Sequence, residues 1–187
     1  MLNLKGKLYN LIDFFYSKNI YLLYKHDKFV DINAPVVIKR VTFDNVQDSS
    51  TFNNEKYINT FIQFLRQGDI GYYAYLNDYC VHRSWVKTGP FKMEIVKGYN
   101  MEFDKQDAYI HYCLTADTAR GKNIYPFVLN HICNELYSKN YRNIYMVVLK
   151  KKKSAMRGVE KAGFKIHKKI TIFRIFGFYF KKELLIR

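Results

Sequence analysis

The stretch that most restricts the fold of this chain spans residues 109–164, where the sequence reads strand, glycine turn, helix, strand, helix. The first strand stops at Ala116-Asp117-Thr118-Ala119-Arg120-Gly121-Lys122-Asn123, and an amphipathic helix is expected over residues 122–137. Pro126 is compatible with that helix because it sits in the first turn, where its missing N–H costs nothing. A strand that turns through small and basic residues straight into a helix leaves backbone N–H groups free at the positive helix end. Such a turn is a cradle for phosphate. A second strand over residues 141–149 and a helix over 154–162 follow, and Gly163 is placed to end that helix.

Elsewhere the periodicity is mixed. Leu4, Leu8, Leu11, Ile12 and Phe15 recur at helical spacing and predict an amphipathic helix over residues 4–16, followed by a short strand over 20–24. Residues 35–42 read as a strand, residues 44–54 as a polar loop, and Tyr57, Ile58, Phe61, Ile62 and Leu65 as one face of a helix ended by Gly68. A hairpin is expected over 70–76 and 79–86 with its turn at Asn77-Asp78. Residues 91–103 form a less regular segment with Gly98 near its middle, and residues 165–185 read as two strands joined near Phe176-Gly177-Phe178.

A chain of 187 residues, nearly half of them hydrophobic, can bury a core without metals or disulfides. The three cysteines, Cys80, Cys113 and Cys133, are scattered and odd in number, which fits reduced thiols and no metal site. The apolar run near residues 170–180 is broken by Arg174 and too short to span a bilayer, and Lys5, Lys7 and Asp13 interrupt the first segment where a leader would be apolar. A cytoplasmic location is expected. The formal charge of +15 calls for anionic company: coenzyme phosphates, a nucleotide-linked or anionic glycan, or the anionic surface of a membrane. A surface of dispersed, solvated lysines explains the same number, and nucleic acid is the least favoured partner.

Arg120-Gly121-Lys122-Asn123-Ile124-Tyr125-Pro126, followed by Glu160-Lys161-Ala162-Gly163-Phe164, resembles the GNAT superfamily of N-acetyltransferases over residues 35–180, most of the chain. The resemblance implies an α/β (α+β) fold, a mixed and mostly antiparallel sheet flanked by helices and splayed between its two central strands. It divides the chain into an N-terminal helix and short strand (residues 1–33) packed on the acetyltransferase domain (34–187), within one structural unit. It implies acetyl-CoA as cosubstrate, with Cys113, Leu114 and Thr115 pairing with the pantetheine as another strand would. Arg120, Gly121, Lys122, Asn123, Ile124 and Tyr125 would hold the pyrophosphate, and Ser154 would contact the coenzyme arm or cap its helix.

Two loop positions depart from the family pattern: Thr118 stands where Gln or Arg is preferred, and Asn123 where a small residue is. Asn tolerates unusual backbone angles, and the cradle is made by backbone groups. Val159 occupies the place of a tyrosine that often protonates the leaving thiolate, and Lys151 that of a frequent asparagine.

The resemblance makes His111 the candidate base, because some members place a catalytic histidine there and imidazole titrates near neutrality. Filling space in an aromatic sheet is the competing role. Tyr109, two residues earlier on the same face, is a second candidate for ordering water. His82, Arg83 and Trp85 are candidates for the acceptor pocket, Arg83 sharing a face with Trp85, although a core tryptophan flanked by a solvated arginine fits the same pattern. The implied reaction is direct acetyl transfer to a small-molecule primary amine, with a nucleotide-linked or lipid-linked amino-sugar precursor of surface polysaccharide as the candidate acceptor. A non-catalytic acyl-CoA sensor is the rival reading, and a homodimer is compatible with either.

Overall fold

The computed structural model describes residues 15–52 and 56–186, so most of the expected first helix lies outside the described residues. The strands are β1 (Tyr16–His26), β2 (Val37–Arg40), β3 (Ile70–Leu76), β4 (Tyr79–Thr88), β5 (Phe91–Val96), β6 (Tyr99–Phe103), β7 (Asp107–Thr115), β8 (Asn143–Leu149), β9 (Phe164–Ile175) and β10 (Phe178–Leu185). The helices are α1 (Lys56–Arg66), α2 (Ile124–Ser138) and α3 (Lys153–Lys161). Eight strands form one sheet in the order β10-β9-β1-β8-β7-β4-β3-β2, and β5 pairs with β6 in a separate hairpin. In the large sheet β7 and β8 run parallel and the other paired strands antiparallel.

Both faces of the sheet are covered at β3 and β4, which is why both strands are buried along nearly all of their length, β4 even at His82, Arg83 and Ser84. Tyr72, Ala74, Val81 and Val86 pack toward α2 and α3 together with Ile110, Val128, Ile132 and Val159. On the opposite face, Tyr73, Tyr75 and Trp85 pack with Ile58 and Phe61 of α1. The β5–β6 hairpin covers the rest of that face, with Tyr99 and Phe103 against Leu23, Tyr109, Tyr145, Ile170 and Ile172.

The expected short strand is the longer β1, and it is part of the sheet interior. It lies between β8 and β9, with Tyr21 opposite Leu149 on one side and Ile170 on the other. The physical reason is burial: Leu22 and Tyr24 belong to the helix-side core and Leu23 to the core under the hairpin, so the run needs cover on both faces. Residues 44–54, expected as a loop, contain a 3-10 helix, Val46–Thr51, because buried Val46 and Ser49 receive the Tyr73 hydroxyl. Residues 91–103 resolve into two strands turning at Gly98. The long helix begins at Ile124, since Asn123 has the left-handed φ of 57° and cannot be helical.

Gly163 ends α3 and ties it to β1. Its φ is +84°, and its carbonyl accepts from the Asp27 and Lys28 N–H groups at 3.0 and 3.3 Å. A Cβ here would stand 1.8 Å from the Lys28 carbonyl oxygen. Gly163→Ala is therefore expected to lower the unfolding free energy in urea by about 2 kcal/mol or more, from left-handed strain plus a backbone clash. An unchanged midpoint would contradict this packing.

Candidate active site

Strands β7 and β8 pair from Asp107 with Asn143 to Ile110 with Met146, and then part. Tyr112 turns β7 aside: its φ is +50°, and the β4–β7 register shifts there. Beyond the bulge, Leu114 and Thr115 pair with Arg83 and His82 of β4, while Val147 to Leu149 pair with β1. Each strand is thus satisfied on its far side. The inner edges face a gap.

That gap opens into a groove of about 850 Å³ between the end of β7, the loop before α2, and the start of α3. Of the sequence candidates, Cys113, Leu114, Thr115, Arg120, Gly121, Asn123, Ile124, Tyr125 and Ser154 line it, and Lys122 does not. Gly121 and Asn123 both have left-handed φ, at 82° and 57°, which curls the loop so that α2 begins facing the groove. The first-turn N–H groups of a helix have no partners within it, and Pro126 in that turn has none to offer. Lys161 Nζ donates to Asn123 Oδ1 at 2.8 Å and fixes this corner.

Lys151, Lys152, Lys153, Arg157 and Lys161 also line the groove, and none of its described lining residues is acidic. The Arg120 charge is partly met by Asp117 in an exposed ion pair. Sequence reasoning gave the lysine run 150–153 no site role and missed Arg157 and Lys161. The signal was their place beside the loop, which only the α2–α3 packing reveals. Burial pushes the Cys113 thiol up to about 11, so it lines the groove as a neutral group.

His111 lies on the opposite face of β7. Its ring is boxed by Tyr109, stacked at 5.9 Å, by Phe64 at 5.0 Å and by Tyr112 at 5.7 Å. His111 Nε2 stands 3.3 Å from Asp69 Oδ2, within ion-pair range although not aligned as a hydrogen bond. Lys87 Nζ holds Asp69 Oδ1 at 2.9 Å. Burial raises the Asp69 carboxyl, but the His111 and Lys87 contacts outweigh it and hold the group below its ordinary value. Asp69 and Lys87 escaped the sequence reading because they are far from His111 in sequence. Tyr109 is buried, and desolvation raises its hydroxyl above the usual range.

The three residues expected around the acceptor are enclosed. Trp85 is fully buried against Phe61 and Phe64. Arg83 shares that face, as alternation predicts, but its guanidinium lies 4.8 Å over Phe61 and donates to the Tyr112 carbonyl. It pins the bulge. His82 faces the other way and is also fully buried, bridging Thr115 Oγ1 at 2.7 Å and Ser84 Oγ at 2.8 Å. Burial, with the neighbouring Arg83 charge, pushes its imidazole down to about 3.

Solved structures match this arrangement of sheet and helices at the level of the fold. A GNAT-family acetyltransferase from Colwellia psychrerythraea matches with a TM-score of 0.65 at 13% identity, over 83% of this chain and 55% of that one. The fold is that of the GNAT acetyltransferases. A glucosamine N-acetyltransferase region of a fungal multi-domain β-N-acetylglucosaminidase gives a TM-score of 0.65 at 12% identity, over 94% of this chain and 23% of that one. The GNAT domain of S. lividans PAT gives 0.54 at 14% identity, over 84% and 96% of the two chains. This chain spans about half of the Colwellia protein and less than a quarter of the fungal one. No protein-family model and no curated protein sequence matches the chain.

Within this GNAT fold the buried His82 couples acidity to stability. The unfolded chain takes up a proton near the ordinary imidazole value, and the folded chain refuses it until about 3. Stability is then lost as pH falls through that window, by up to about 1.4 kcal/mol per unit from this group. Urea titrations from neutral to acid pH should show the loss, and His82→Gln should flatten it. An identical slope in the variant would refute the assignment.

Proposed function

We propose that the protein binds acetyl-CoA in the groove and transfers its acetyl group to a primary amine. The observation that carries this reading is the parting of β7 and β8 directly beside the left-handed loop at the start of α2. A diphosphate fits the free N–H groups and the cationic, carboxylate-free lining, and a pantetheine arm fits the unpaired inner edge at Cys113, Leu114 and Thr115. The coenzyme brings the activated thioester. The chain supplies placement, charge and a proton acceptor.

His111 is the proposed base for the incoming ammonium, reached directly or through one water. Asp69, anchored by Lys87, holds the imidazole orientation. The ammonium gives one proton to His111; the amine nitrogen then forms the new amide bond as the carbon–sulfur bond breaks, and the second nitrogen proton passes through solvent to the departing sulfur, which leaves as free CoA. Val159 is fully buried and offers no acid. Tyr125 lies within reach of the Cys113 thiol, and because burial raises its phenol it can offer the departing sulfur a hydrogen bond without giving up its proton. An amino sugar is the proposed acceptor, supported by the likeness to the fungal glucosamine N-acetyltransferase region.

Calorimetry with CoA and acetyl-CoA tests the binding half, and release of free thiol with a panel of amino sugars and other amines tests turnover. Heat with both coenzymes and steady thiol release are expected. Binding without turnover across the panel would favour the acyl-CoA sensor, and absence of binding would sink both readings.

His111→Ala should lower kcat about a hundredfold and Asp69→Asn about tenfold, each with unchanged affinity for CoA. Equal losses of thermal stability and activity would make both residues structural instead.

A further inference from the structure

The outer strands carry a face with no place in the acetyl-transfer reading. Registry puts Tyr16 and Lys18 of β1, Phe173 and Ile175 of β9, and Phe178, Phe180, Lys182 and Leu184 of β10 on the helix side of the sheet. Large apolar groups there stay in solvent: Phe178 is 72% exposed, Phe180 55%, Leu184 55% and Tyr16 53%. At the hairpin tip Phe176 is 59% exposed and packs edge-on against exposed Phe15. Apolar area gathered on one face of a soluble fold marks a contact surface.

Charge says what it contacts. The same face carries Lys18, Lys169 and Lys182 by register, with no carboxylate among its described residues. The one carboxylate of β10, Glu183, points to the other face, where Lys168 and the Tyr99 hydroxyl hold it at 2.8 and 2.9 Å. Lys18 lies 5.5 Å from the centre of the Phe173 ring, so cation and aromatic are interleaved. Aromatic rings at the tip of a rigid hairpin, bordered by lysines, match the boundary between anionic headgroups and acyl chains.

A second copy of the chain fits less well. Two β10 edges paired about a twofold near the strand centre would set Lys181 or Lys182 against its own copy across the seam, and like charges directly opposite disfavour such pairing.

We infer that the β9–β10 hairpin tip and the adjoining face of β10 form a docking surface for an anionic phospholipid bilayer. Phe176, Phe178 and Phe180 enter the interface while Lys18 and Lys182 meet the phosphates. The surface adjoins the groove end of the sheet: the Lys150 N–H, at the head of the lysine run, bonds to the Ile20 carbonyl of β1 at 2.8 Å. Docking therefore brings the groove mouth near the membrane surface.

Co-sedimentation of the full chain tests this with vesicles of phosphatidylcholine alone and vesicles containing about 30% phosphatidylglycerol. Binding is expected to the anionic vesicles and to weaken with salt. Phe178→Ser combined with Phe180→Ser should reduce it at least about tenfold. Lys18→Glu combined with Lys182→Glu should reduce it by a similar factor without touching the aromatic rings. All substituted side chains are exposed, and a thermal melt confirms that each variant is folded. Three results would each overturn the inference: no vesicle binding, equal binding to neutral vesicles, or anionic binding that survives both variants. A dimer in solution that both variants dissociate, with no vesicle binding, would assign the face to a second copy instead. Coenzyme calorimetry on the same variants should be unchanged, so a failure here is separable from a failure of the acetyl-transfer reading.

Discussion

The bond from the Arg83 guanidinium to the Tyr112 carbonyl governs the arrangement of the whole site. It holds Tyr112 in a left-handed conformation that a bulky residue does not adopt unaided, and so keeps β7 bent away from β8. Without the bend the inner edges of these strands would close their ladder, and the backbone groups beside Cys113 to Thr115 would be spent on each other. Arg83 can do this because its charge is solvated by rings rather than water, with Phe61, Tyr57 and Tyr112 around it at 4.8, 5.7 and 5.7 Å. An arginine that looked like a ligand for substrate is an internal strut.

The two faces of the bent strand divide the chemistry. Toward α2 and α3 lie the loop, the cations and the neutral groups Cys113, His82 and Tyr125. Toward α1 lie His111 and the Asp69–Lys87 ion pair, enclosed among aromatic rings. The gap between β7 and β8 opens into the first of these environments, and His111 stands on β7 just beyond the last β7–β8 pair. The cations of the groove also gather part of the large positive charge in one place, since a lining without carboxylates concentrates potential there.

Much of this was legible in the sequence because it depends on local backbone chemistry. Gly121, Asn123 and Pro126 announce a turn entering a helix, and Gly163 announces a helix end; neighbours in the chain determine both. The ten-residue coenzyme set, taken from family resemblance, falls around one groove with the exception of Lys122. What was hidden depends on tertiary contact. Nothing near His111 in the sequence points to Asp69, which reaches it from the end of α1. The fates of Arg83 and Trp85 hinge on α1 lying over them, and strand alternation specifies which face a side chain takes but not what covers that face. The sheet position of β1 was unreadable for the same reason, since its partners are at the other end of the chain.

That position has a bearing on biosynthesis. β1, apolar on both faces, leaves the ribosome well before its two neighbours β8 and β9, which come far later in the chain. Long-range pairings of this kind close slowly and leave a sticky strand waiting. The nascent protein therefore needs shelter for that segment until β8 and β9 have been made, and a chain truncated before β9 would retain an open, aggregation-prone edge where the sheet interior should be.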